Sequence, residues 1–143
     1  MIAPDLNLLV YSFNASARQH EEAARWWEDL LNSNQFVGVP WVVYVGFVRL
    51  MSGRHVLVEP YTPAELLRLT GLWFAQPNVQ LLAVTPRTME VFQRLVGRYE
   101  IAGGMLTDAA IAATAIEYQA ILHTNDTDFA RFSELRAHNP LSS

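Results

Sequence analysis

The sequence predicts an α/β fold on a mostly parallel sheet, and three observations point there. Short apolar runs rich in β-branched or aromatic residues recur along the chain, at Phe36 to Val39, Val79 to Val84 and Ala120 to Thr124. Each is too short for a helix of its own and reads as a buried strand. Between them lie longer segments with apolar residues at helical spacing, several opened by a recognisable cap. Strands alternating with helices imply parallel pairing through helical crossovers. The 143 residues, 51% of them hydrophobic, suffice for one domain with its own core, and no repeat or low-complexity tract interrupts them.

Taken in order, Ile2 to Tyr11 begins as a strand that ends either at Asp5 or near Val10. Ser16 with Gln19 fits a capping box ahead of Ala23, Ala24, Trp27, Leu30 and Leu31, which share a helical face. After the strand Phe36 to Val39, Pro40 opens a helix through Trp41, Tyr44, Val48 and Met51 that stops near Gly53. Thr62-Pro63-Ala64-Glu65 starts the next, with threonine as cap, proline at the first position and glutamate at the third. Thr85-Pro86 follows the strand Val79 to Val84 and opens a helix carrying Met89, Phe92 and Val96 on one face. Thr107 caps a further helix, where Asp108 and the run Ala109 to Ala115 combine a dipole-favoured acid with high helix propensity. Ala120 to Thr124 is the last predicted strand, followed by a short helix toward Phe132.

Composition excludes several kinds of chemistry. Without cysteine there is no disulfide framework, thiolate zinc site, iron–sulfur cluster or thiol nucleophile. No Gly-x-Ser-x-Gly elbow, Walker loop or dinucleotide fingerprint is present. His20 with Glu21 and Glu22 lacks the second histidine of a zinc protease, and His123 reads as a core residue in an apolar strand. The N-terminus does not read as a signal peptide and no apolar stretch approaches a membrane span, so a cytoplasmic location is expected. The formal charge of −4 argues against a nonspecific nucleic-acid coat, though not against a localised basic face.

The aspartates carry the chemical signal. There are five, and four fall where strands end or helices begin: Asp5 after the first strand, Asp108 at a helix start behind Gly103-Gly104, and Asp126 and Asp128 after Ala120 to Thr124. Each alone is explained by capping or turn formation. Together they lie where ligands bind in open α/β sheets, beyond the carboxyl ends of the strands. Converging carboxylates raise one another's pKa unless a cation neutralises them. Oxygen ligands without histidine or cysteine select magnesium or manganese, and such an ion suits phosphodiester hydrolysis.

The opening Met1-Ile2-Ala3-Pro4-Asp5-Leu6-Asn7-Leu8-Leu9-Val10-Tyr11, the central Leu106-Thr107-Asp108-Ala109-Ala110-Ile111-Ala112-Ala113, and Thr124-Asn125-Asp126-Thr127-Asp128-Phe129 with Asn139-Pro140-Leu141 resemble a PIN-domain ribonuclease. More narrowly, they resemble a VapC toxin of a type II toxin–antitoxin system. The resemblance runs through essentially the whole chain. It implies a PIN-like three-layer α/β/α sandwich, with residues 1–143 as a single ribonuclease domain. It implies that Asp5, Asp108 and Asp126 are catalytic and bind Mg2+, with Mn2+ as the alternative ion. Asp128 would add a ligand or support from nearby, and Asn7 and Thr124 would orient carboxylates or a water. The implied activity is endonucleolytic cleavage of RNA, commonly tRNA or ribosomal RNA, restrained by a small VapB-like antitoxin whose tail covers the site.

One position departs from the family pattern. Many members carry a glutamate shortly before Gly-Phe-x-Arg in the helix after the second strand, whereas this chain has Tyr44-Val45-Gly46-Phe47-Val48-Arg49. A full two-metal site is therefore in question, with Glu21 or Glu22 as conceivable substitutes. Arg49, Arg94, Arg98 and Arg131 are candidates for RNA contact. A degenerate PIN-like module that binds RNA or protein without cutting is the alternative reading. A phosphoacceptor or phosphatase using Asp5 fits less well, because Asp5-x-Asn7 replaces the usual Asp-x-Asp. The helices bearing Trp26, Trp27, Leu72, Trp73 and Phe74 hold more large hydrophobes than a core this size obviously needs, so a homodimer bound by antitoxin is expected.

Overall fold

Asp5 stops the first strand. In the computed structural model, which describes residues 1–142, β1 spans only Ile2–Pro4. The Asp5 carboxylate accepts the Leu6 N–H and caps α1 (Leu6–Phe13). Leu8, Leu9 and Val10, which could have continued a strand, are instead buried on this helix. α2 (His20–Leu31) begins later than the Ser16 capping box predicts: Gln19 sits at the cap without a side-chain bond, and the Ser16 N–H is held by the Asn14 side chain. β2 (Val37–Pro40) leads directly into α3 (Trp41–Ser52), which ends at Gly53 as expected. The predicted capping box of Thr62 and Glu65 opens α4 (Pro63–Phe74).

β3 (Val79–Leu82) precedes α5 (Pro86–Tyr99), capped by Thr85. The hydroxyls of Thr85 and Thr88 both donate to Glu117, tying the start of α5 to the end of α6 (Met105–Glu117). Gly104, not Thr107, stands at the cap of α6, so Thr107 lies within its first turn. Gly103 takes φ of 62°, a left-handed conformation that glycine adopts without steric cost, and turns the chain into that helix. β4 (Ile121–His123) is followed by a 3-10 turn at Thr127–Arg131 and by β5 (Arg136–His138), a strand the sequence did not announce because all three of its residues are exposed.

The five strands are all parallel, in the order β3-β2-β1-β4-β5. The chain moves outward from β1 through β2 to β3, then returns to place β4 on the other side of β1. Right-handed crossovers put α1 to α4 on one face and α5 with α6 on the other, giving three layers. The reversal of direction opens a crevice at the carboxyl ends of β1 and β4, the preferred ligand position in such sheets.

The core joins both faces. Trp27, Phe13, Phe47 and Trp73 form an aromatic group with Trp73 at its centre, its ring 4.9 Å from Phe47, 5.1 Å from Trp27 and 5.8 Å from Phe13. Burial of these rings offsets the cost, about 1–3 kcal/mol, of the Trp27 indole N–H, which is buried without a partner. Trp27 and Trp73 are therefore core residues, and Trp26 and Phe74 pack partly against them. Of the five hydrophobes that suggested a partner surface, only Leu72 is exposed. Trp41, Val45, Val84 and Met89 are exposed instead, bordering two hollows that share Val42. Among the described residues no helix is long and apolar enough to cross a membrane.

Candidate metal centre

The crevice between the ends of β1 and β4 is organised by one hydroxyl. The Asp5 backbone N–H donates to the His123 carbonyl at 2.9 Å, which locks the two strand ends together. This brings Asp5 beside Thr124, whose hydroxyl donates to the second Asp5 oxygen at 2.7 Å. The same Thr124 oxygen accepts the Asp126 N–H at 3.0 Å, and Asp126 in turn caps the 3-10 turn by accepting the Asp128 N–H at 2.9 Å. The capping roles that explain each aspartate singly thus also set the positions of their carboxylates.

Asp108 completes the arrangement from the first turn of α6. One carboxylate oxygen from each of Asp108, Asp126 and Asp128 lies within 4.8 Å of the others. Asp5 stands behind this group, 3% exposed, with its oxygens held by Leu6 and Thr124. Burial pushes its carboxyl up to about 6, against the lowering effect of those two hydrogen bonds and with a further push from Asp108 and Asp126. Burial and the charges of Asp126 and Asp128 likewise raise Asp108, while the Arg131 guanidinium opposes them. Arg131 is anchored at the site's edge by a bond from Nε to the Asp128 carbonyl.

The donor set is made of hard carboxylate oxygens, close enough that the charges of Asp126 and Asp128 add to burial in pushing Asp108 up, with no histidine or cysteine among them. It fits a divalent ion of the magnesium or manganese type. Asp108, Asp126 and Asp128 are the residues that could hold it, with Asp5 within electrostatic reach of Asp108 and Asp126.

The other sequence candidates make the following contacts. Asn7 is exposed on α1 and its side chain makes no hydrogen bond among the described residues. The Tyr44 hydroxyl pairs with Thr70 at 3.1 Å and its ring packs edge-on against Phe74, so it faces α4 and supplies no replacement for the missing acid. Glu22 holds the backbone N–H and hydroxyl of Ser142, clamping the C-terminal segment. Arg94 and Arg98 both pair with Glu134, whereas Arg49 borders a hollow with Leu6, Trp41 and Thr107. His123 accepts the Trp26 indole N–H at Nδ1, 3.0 Å away, and burial followed by the neighbouring His138 pushes its pKa down to about 4.

The chain is similar to known proteins along nearly its whole length. Residues 2–135 match the PIN domain family model. Among curated relatives, Ribonuclease VapC33 of Mycobacterium tuberculosis is 38% identical over 141 residues, covering 99% of each chain. Ribonuclease VapC43 of the same organism is 33% identical, covering 99% of this chain and 96% of its own. Among solved structures, VapBC2 from Rickettsia felis, bound to a DNA fragment from its promoter, superposes with a TM-score of 0.71 at 19% identity, covering 97% of this chain and 98% of that one. VapC20 of Mycobacterium tuberculosis, described as a sarcin-ricin loop cleaving toxin, superposes with a TM-score of 0.69 at 19% identity, covering 95% and 99%. At such identities these two structures establish a shared fold.

Proposed function

The chain belongs to the PIN-domain family, and we propose that it is a magnesium-dependent endoribonuclease, the toxin of a VapBC-like pair. The observation that carries this reading is the approach of the Asp108, Asp126 and Asp128 oxygens to within 4.8 Å of one another in front of buried Asp5. Its full-length relatives named as ribonucleases support the same conclusion.

Bound among these carboxylates, Mg2+ or Mn2+ supplies polarisation of a phosphoryl oxygen and activation of water. The chain's own residues do the positioning. Thr124 holds Asp5 and the Asp126 loop at a fixed separation, so the carboxylates are arranged before substrate arrives. Arg131, beside Asp108 and not paired with an acid in a salt bridge among the described residues, is placed to meet a phosphate; Arg94 and Arg98 are already engaged by Glu134. The RNA is proposed to be a tRNA or ribosomal RNA, and the restraining partner a small VapB-like antitoxin. The exposed Trp41, Val45, Val84 and Met89 suit a homodimer contact, which light scattering of the isolated chain and the co-expressed complex would test.

Cleavage-end mapping on total RNA, with Asp108→Asn as control, tests the activity. Discrete cut sites in Mg2+ that vanish in the variant are expected, together with calorimetric ion uptake that the variant loses. Full cleavage by the variant would refute the assignment. The second reading, a PIN-like module that binds RNA or protein without cutting, is favoured by one observation: Tyr44 occupies the usual glutamate's region and turns away toward Thr70. That reading requires no ion uptake dependent on Asp108.

A further inference from the structure

A hollow of about 210 Å3 adjoins the acidic group. It shares Thr124 and Asp126 with the site, so whatever fills it lies directly beside the carboxylates. Its apolar lining comes from the exposed Ala130 of the 3-10 turn and Ala137 of β5, backed by the buried Phe129. Its rim is polar, made by Asn125, His138 and Asn139. Among the described residues the Asn125 side chain and the His138 ring make no hydrogen bond, and the His138 ring packs edge-on against the His123 ring, 5.2 Å between centroids. Asn139 accepts the Leu141 N–H with its side-chain oxygen, and its amide has no partner among the described residues.

The volume is below the roughly 300–1,000 Å3 of a drug-sized ligand site, and so suits a single ring system. An apolar lining with unpaired donors and acceptors at its edge matches a flat heterocycle lying on one face and read along its rim. Unstacked bases of single-stranded RNA present that chemistry, stacking on rings and exposing their hydrogen-bonding edges. We propose that this hollow is a nucleobase subsite, taking the base of a nucleotide next to the phosphate at the aspartates, with Asn125, His138 and the Asn139 amide reading its edge. The adjoining phosphate rests on the nuclease reading above; the base-sized hollow does not.

The test separates the two. Isotope-labelled protein is titrated with AMP, GMP, CMP and UMP, and with ribose 5-phosphate as the base-free control, following the resonances of Asn125, Ala137 and His138. At least one nucleotide is expected to shift them saturably, at least about ten-fold tighter than ribose 5-phosphate, and Asn125→Ala and His138→Ala should each erase most of that advantage. In parallel, kcat/KM is compared on short RNAs varied at the two nucleotides flanking the cut. The wild type should favour one base at one of these positions by at least about ten-fold, and either variant should flatten the preference. Thermal unfolding checks that both variants remain folded. Equal binding of ribose 5-phosphate, no shifts with any probe, or a preference unchanged in folded variants would overturn the subsite. Base binding without RNA cleavage would instead remove the nuclease reading and leave the base site standing.

Discussion

Ionisation of Asp5 should destabilise the metal-free protein. The folded chain holds the Asp5 proton more tightly than the unfolded chain, since burial raises its pKa from 3.8 to about 6. Linkage then sets the sign: the folded state binds more protons across that window, so stability falls as pH rises from about 3.8 to about 6 and is level beyond it. The interval is equivalent to up to about 3 kcal/mol, a large share of a typical domain's 5–15 kcal/mol. His123 acts in the opposite direction, because its pKa is lowered to about 4 and its contribution is lost as pH falls from 6.5 toward that value. The measurement must therefore be a difference. Urea unfolding of wild type and Asp5→Asn, in EDTA and at matched pH values across the window, cancels His123 and leaves the Asp5 contribution. Wild type should lose up to about 3 kcal/mol relative to the variant between the acidic end and neutrality. Saturating Mg2+ should restore much of it above pH 6, where the carboxylate is ionised. A difference that stays within about 0.5 kcal/mol, or that rises with pH, would refute the view that Asp5 is a desolvated carboxylate held beside other acids.

Three further outcomes follow from individual contacts. Thr124→Val keeps the shape but removes the donor to Asp5 and the acceptor for Asp126 N–H, so it should cost about 2–4 kcal/mol by urea unfolding and move the Asp5 titration upward by NMR; unchanged values would deny the hydroxyl its bridging role. Tyr44→Phe should cost about 1 kcal/mol through loss of the Thr70 contact and leave RNA cleavage intact, whereas loss of cleavage in the folded variant would place Tyr44 in the site. Mg2+ at about 100 times its Kd should stabilise the wild type by about 2.7 kcal/mol and the Asp108→Asn variant by much less, read as a shift in unfolding midpoint; equal stabilisation would put the ion elsewhere.

Local chemistry made much of this protein legible in its residue order. Thr62 with Glu65 and Thr85 with Pro86 announce α4 and α5 because cap and helix are neighbours in sequence. The apolar strand runs announce β2 and β4 because buried parallel strands have little polar face to show, and β3 through its apolar ends although its central Gln80 and Leu81 are exposed. Asp5, Asp108, Asp126 and Asp128 stood out because they follow strands or open helices, where the topology places ligands. Distances across the chain were not legible. α1 hid within an apolar run whose burial depends on neighbours far away in sequence, and β5 is a strand only because β4 offers it hydrogen bonds. Tyr44's orientation, the burial of Trp27 and Trp73, and the pairing of Arg94 and Arg98 with Glu134 all depend on which elements meet in space. So does the bond between Thr124 and Asp5, 119 positions apart, which turns separate caps into one group of carboxylates. Residue type and spacing suffice for contacts made within a turn or two; a site assembled from the ends of distant strands exists only once the sheet has brought them together.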